Sequence, residues 1–415
     1  MTRKENNMSR YSVIIFMLLI AILWNIFVPA SADAIPAFAR RYKISCTTCH
    51  APIPKLKPFG DEFAGNGFVI PENEKERDYV TAGDPLLWLN RDFPIAARFD
   101  AYAVYDSDAP VDNDLQLPWG VKLLSGGAIY KNIGYYFYFY LSERGEVAGI
   151  EDAYIHFNNI FSTNLDVMVG QFQTSDPLMK RELRLTFEDY ILYTRRVGFS
   201  KLNLTYDRGI MLPYTIDATG TDLVGMVVNG SGIGEAGDNR KFDDDQFKNF
   251  GFRINQAVGE IASVGAFIYY GKERVSDTLG VNDNEVTYLG PDVNVNLGKV
   301  EFTGQYLWRQ DTNPLFIPNT ESKTTTGVIA ELIFAPKKDQ SRHYFTLLYN
   351  WVDSDLKAED YGQLLQFVEF NPINYHTITL SGTYVFARNL RFLIELTRDI
   401  ELEANRAALG IVSAF

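Results

Sequence analysis

Both cysteines of the 415-residue chain fall within four positions, Cys46-Thr47-Thr48-Cys49, and one of only four histidines, His50, follows directly. Two thiols at that spacing with an adjoining imidazole suit covalent attachment of a haem. Each thiol forms a thioether with one vinyl group, and His50 supplies the proximal nitrogen to iron. A Cys46–Cys49 disulfide and a thioredoxin-like redox pair are the competing uses. The redox pair calls for a βαβ context, whereas the sequence continues "APIPKLKPF". Zinc would need further soft ligands nearby, and this stretch has none. The spacing therefore predicts one covalent haem c on Cys46, Cys49 and His50.

The sixth position on such an iron is not assigned by the motif. After His50, up to residue 90, the chain has neither Met nor His. That leaves Lys55, Lys57, a water or an open position, or a ligand from farther along. Which distant residues qualify depends on the elements that carry them.

From Phe93 onward the sequence alternates with period two, the pattern of strands with two unlike faces. In "DAYIHFNN", Ala153, Ile155 and Phe157 share one face, and Asp152, Tyr154, His156 and Asn158 the other. In "NLDVMVGQF", Leu165, Val167 and Val169 oppose Asp166, Met168 and Gly170. "VEFTGQYLWRQ", "HTITLSGTYVF" and "RFLIELTRDI" repeat the theme. A long series of ten-residue alternating segments, rich in Tyr and Phe, is the signature of a transmembrane barrel. Short connections are expected near 131–133, 158–163, 196–198, 217–221, 258–260, 297–299, 336–341 and 387–389. Long ones are expected near 107–118, 173–188, 231–246, 272–283, 311–323 and 355–373. An even count closes the sheet and removes its edges. Two separate strands around Arg208-Gly209 give about eighteen; one strand and a loop give about sixteen.

The fold class expected is thus all-β: a transmembrane antiparallel barrel of about 16–18 strands over residues 91–415, with a small N-terminal monohaem cytochrome c head over 35–90. Residues 1–34 read as a signal peptide, with basic Arg3, Lys4 and Arg10, an apolar run from Tyr11 to Val28, and Ala32-Asp33-Ala34 as the cleavage signal. Export puts the cysteines in an oxidising compartment. A net charge of −13 argues against nucleic acid as a partner, since that needs a basic face.

Facing then sorts the distal candidates. His156 and Met168 fall on the lumen side of adjacent strands, and His343 and His376 on the lipid side. Met179 lies in the 173–188 segment, which is expected to enter the lumen. Met179 is the first candidate for the sixth ligand, with Met168 and His156 behind it. Met211 and Met226 have no clear facing. Lys180, Arg181, Glu182, Arg184, Glu188 and Asp189 read as an ion-pair network fixing the inward segment. Asp243-Asp244-Asp245, with Asp238, reads as a solvated outer loop.

The stretch "PAFARRYKISCTTCHAPIPKLKPFGDEFAGNGF" resembles the head of the fused outer-membrane monohaem cytochrome–porins, whose best-known members are Fe(II) oxidases. The residues that carry the likeness are Pro36, Phe38, Ala39, Arg40, Cys46, Cys49, His50, Pro54, Leu56, Phe59, Gly60, Phe63 and Gly67. Residues 169–190 are also similar to a stretch of phosphate-selective-type porins that folds inward as a constriction. Phe415, closing the last strand, is similar to the sorting signal of outer-membrane barrels. The resemblance implies an outer-membrane electron conduit. Electrons would pass through one haem c between periplasmic carriers, such as soluble c-type cytochromes, and an external donor or acceptor such as Fe(II). An Fe(II):cytochrome oxidoreductase or a plain electron-transfer protein would fit. A solute-diffusion porin with a haem plug or sensor is the alternative.

Overall fold

The computed structural model describes residues 37–70, 79–91, 93–237, 239–277, 280–318, 320–366, 368 and 370–415. The expected signal peptide and Asp238 lie outside the described residues.

Sixteen antiparallel strands form one closed barrel. They are β1 (Ile95–Asp106), β2 (Asn113–Tyr130), β3 (Ile133–Glu143), β4 (Gly149–Phe157), β5 (Val167–Gln173), β6 (Tyr206–Ile216), β7 (Thr221–Val228) and β8 (Asn249–Val258). The second half holds β9 (Ala262–Asp277), β10 (Gly280–Asn296), β11 (Val300–Asp311), β12 (Lys323–Phe334), β13 (His343–Ser354), β14 (Tyr375–Ala387), β15 (Leu390–Asp399) and β16 (Asn405–Ala414). Each strand pairs with its neighbours in sequence, and β16 returns to β1 from Arg406 opposite Asp106 to Ala414 opposite Arg98. Phe415 extends the seam, its N–H donating to Ala97 O at 2.8 Å.

The count is sixteen because β6 runs unbroken through Arg208-Gly209. "KLNLT" is not a strand, and 196–198 does not connect two barrel strands; both belong to a long inward segment. Nor is 272–283 a loop. There β9 and β10 continue as a hairpin to Asp277 opposite Gly280.

Period two sets the two walls. On β15, Arg391, Leu393, Glu395 and Thr397 are buried while Ile394 and Leu396 are 61% and 57% exposed. On β14, Thr377, Thr379 and Ser381 are buried and Ile378 and Leu380 exposed. The outward wall is the apolar one, as a barrel bounded by hydrocarbon requires. Among the described residues no helix is long and apolar enough to cross a membrane.

The lumen is packed. Residues 174–205, between β5 and β6, fold inward and touch wall strands nearly all the way round. Phe172, Tyr193, Val197, Leu204, Phe267, Ile329 and Leu348 are at most 1% exposed and belong to one apolar cluster. Polar anchors hold the segment to the wall. Glu395 accepts the N–H groups of Phe187 and Glu188, both at 2.8 Å. Arg309 donates to Leu202 O at 2.9 Å, and Glu273 accepts from Ser200 at 2.6 Å.

Residues 37–70 form three short helices, α1 (Ala37–Tyr42), α2 (Cys46–Cys49) and α3 (Pro58–Gly65). They close against the mouth of the barrel that carries the short turns. Lys55 pairs with Glu301 at 2.5 Å, Lys57 with Asp339 at 2.9 Å, and Asn158 donates to Asn66 O at 2.9 Å. Phe68 stacks on Tyr136 of β3 with ring centroids 4.6 Å apart.

Candidate functional site

The motif is built on a single helical turn. Ser45 caps α2, accepting from Thr47 N at 3.3 Å. The turn ends at His50, which leaves in extended conformation. Proline at the first position of α3 starts the next helix with no wasted donor. α3 packs so closely on α2 that a Cβ on Gly60 would stand 2.4 Å from Cys49 O. Gly67, at φ +67°, ends this region in the left-handed conformation. Phe38, Phe63 and Phe68 fill the space beneath, with centroids 5.0–5.7 Å apart.

Cys46 and Cys49 are free thiols, each partly buried. Burial pushes both thiols up, with the neighbouring Cys46 adding to the rise at Cys49. Reactive redox pairs are marked by a lowered pKa, so this environment does not favour a thioredoxin-like role. His50 Nδ1 lies 3.0 Å from Pro54 O. A proton on Nδ1 donated to that carbonyl leaves Nε2 as the ligand atom, which is how a metal-binding imidazole is commonly oriented. Burial lowers the pKa of His50, against the raising effect of the backbone hydrogen bonds, and so favours the neutral, ligating form. Two unpaired thiols and an oriented imidazole on one turn are a donor set that fits a haem c.

Of the sixth-position candidates, Lys55 and Lys57 are both engaged in the ion pairs that hold this region to the barrel. Met179 is carried by the inward segment and is 9% exposed. His156 and Met168 face the lumen as period two requires, 3% and 8% exposed and directly opposite each other on β4 and β5. His343 and His376 stand on the outward wall against Tyr384 and Tyr349. The motif region touches β11 and the β12–β13 turn through Lys55 and Lys57, and the end of β4 through the bond from Asn158, two residues beyond His156, to Asn66 O.

The charged run of the inward segment is an ion-pair network. Lys180 meets Asp176 at 2.9 Å and Asp152 at 3.4 Å. Arg181 pairs with Asp189, and Glu188 with Arg406. Glu182 accepts from Lys122 at 2.9 Å, Tyr138 at 3.2 Å and Tyr140 at 2.9 Å. Of the wall partners, alternation places Asp152 on the lumen face, whereas Lys122 and Arg406 carry no expectation from the sequence. Charges at lumen-parity positions of otherwise apolar strands were the available signal. In the acidic loop, Lys248 pairs with Asp243 and Lys201 with Asp244, while Asp245 accepts from Phe247 N and Arg274 N.

The closed sixteen-strand antiparallel barrel is similar in fold to outer-membrane porins. The anion-selective porin of Comamonas acidovorans superposes with TM-score 0.54 at 11% identity, covering 78% of this chain and 99% of the porin. A loop-deletion mutant of the outer-membrane protein OmpT of Vibrio cholerae gives 0.53 at 11%, covering 78% and 99%. The outer-membrane channel DcaP of Acinetobacter baumannii gives 0.53 at 12%, covering 78% and 97%. No protein-family model and no curated protein matches the chain.

Proposed function

We propose that this protein is an outer-membrane barrel that passes electrons through one haem c held by Cys46, Cys49 and His50. The observation that carries the reading is the donor set on α2: two unpaired thiols and an imidazole fixed through Nδ1. The haem supplies one-electron redox chemistry at iron. The chain does the rest. Cys46 and Cys49 tether the group, His50 orients toward it, and the pairs at Lys55 and Lys57 hold it at the short-turn mouth. In this reading that mouth is periplasmic, where soluble c-type cytochromes would dock, and the long loops face an external donor or acceptor such as Fe(II). The packed lumen and lipid-type outer wall insulate the path. For the sixth iron position we propose Met179.

Denaturing gels test the attachment. Haem stain should persist on the wild-type chain and vanish in Cys46→Ala/Cys49→Ala; stain in the double variant overturns the assignment. Proteoliposomes test the transfer. A reduced dye inside should lose electrons to an external acceptor, or the reverse, only with the haem-loaded protein.

The second reading is a solute-diffusion porin whose N-terminal region is a plug or sensor. The likeness to porins and channels favours it; the buried cluster across the lumen weighs against it. Stable ion conductance of porin size, with no electron transfer in the liposomes, would establish this reading in place of the first.

A further inference from the structure

Seven methionines occur in the chain, three of them within residues 1–17. The other four, Met168, Met179, Met211 and Met226, all lie in one buried cluster. Three of these sit on consecutive strands in direct register: Met168 of β5 opposite Met211 of β6, and Met211 opposite Met226 of β7. His156 of β4 heads the row, opposite Met168. All four row members face the lumen and are 3–8% exposed. Directly opposed side chains on adjacent strands have Cβ atoms about 4.5–5.5 Å apart, so neighbours in the row converge.

Met226 leans away from this row. A Cβ on Gly251, its partner on β8, would meet Met226 Cγ at 2.7 Å and Sδ at 2.9 Å. The set left in the row is therefore His156, Met168 and Met211 on three successive strands, with Met179 of the inward segment in the same cluster as the two methionines.

Packing alone accounts for buried methionines, which fill irregular gaps. It does not account for His156. Neither ring nitrogen makes a hydrogen bond, although the residue is 3% exposed. Nε2 stands 3.3 Å from Asp166 Oδ2 without hydrogen-bond geometry. Buried polar atoms are nearly always partnered, so an unpartnered imidazole with one thioether opposite it and a second on the next strand points to a ligand.

We propose that His156, Met168 and Met211 form a soft-metal site on the lumen wall that takes Cu(I). Thioether sulfur selects soft cations and imidazole suits copper, whereas Mg²⁺ and Ca²⁺ require oxygen donors. One nitrogen and two sulfurs offer a low-coordinate site for a d¹⁰ ion with no charge change in the ligands. Asp166, 19% exposed at the side chain, stands beside His156 on the connection between β4 and β5 and gives the ion a polar way in. The site does not rest on the haem assignment.

The probe is Cu(I) alone, titrated anaerobically into the folded full-length protein against a chromophoric Cu(I) chelator. The protein is used both haem-loaded and as Cys46→Ala/Cys49→Ala, which removes competing thiols. One Cu(I) per chain is expected in both forms, with sulfur and nitrogen scatterers in X-ray absorption. Met168→Leu, Met211→Leu and His156→Leu should each weaken binding at least tenfold. Met226→Leu should change it less than threefold. Heat-modifiable gel mobility checks that each variant keeps its barrel. Absence of stoichiometric binding, or binding unaffected by the three substitutions, overturns the proposal. So does a change of the haem spectrum in Met168→Leu or His156→Leu without Cu(I) binding by the wild type, which would give these residues to the haem iron.

Discussion

At the scale of single residues, the motif depends on one missing methyl group. Gly60 lets α3 approach the Cys49 carbonyl, and any Cβ there meets backbone that cannot swing aside. Gly60→Ala should destabilise residues 37–70 by about 1–3 kcal/mol, the usual cost of overpacking. Limited proteolysis should show faster cleavage in this region, with barrel mobility on gels unchanged. Equal cleavage rates in wild type and variant would show that the contact is not tight. The ion pair of Lys55 with Glu301 is partly exposed and is worth at most about 1 kcal/mol. Aromatic stacking of Phe68 on Tyr136 is therefore the better handle on docking.

The element that decides whether the barrel conducts is the inward segment. It is held by buried charge as well as by apolar packing, and Glu182 is one of its heavily engaged carboxylates, with Lys122, Tyr138 and Tyr140 all donating to it. Removing one partner from a buried pair costs about 3–5 kcal/mol because the other charge is left stranded. Glu182→Ala should loosen the segment and produce ion conductance in planar bilayers that the wild type lacks. Equal conductance in both proteins would mean that the packed lumen does not seal the barrel.

For the whole molecule, stability in a bilayer rests on keeping the two walls apart. Ile394 stands at the middle of β15 on the outward face. Ile394→Arg should cost about 2–4 kcal/mol in lipid, seen as a lower urea midpoint for refolding into vesicles. Leu393→Met, on the buried side of the same strand, conserves volume and should shift it by less than about 1.5 kcal/mol. A midpoint that moves more for Leu393→Met than for Ile394→Arg would reverse the assignment of walls.

The sequence by itself determined the walls, because side chains alternate along every strand and the two environments demand unlike residues. That was enough to place His156 and Met168 in the lumen and His343 and His376 outside it, and to mark the thiol–imidazole motif by spacing alone. Strand number escaped it. "KLNLT" alternates like a strand, yet Leu202 and Leu204 are buried in the lumen cluster while Ser200 and Lys201 bind Glu273. Alternation cannot distinguish hydrogen bonding to a neighbouring strand from packing within the barrel. Only the closed sheet decided that residues 174–205 form one continuous filling and that the count is sixteen. Register was equally out of reach. Met211 lies 43 positions beyond Met168, and its place in the row with Met168 and His156 depends on which residue of each strand stands opposite which. That is set by the turns and by closure of the ring, not by any local pattern.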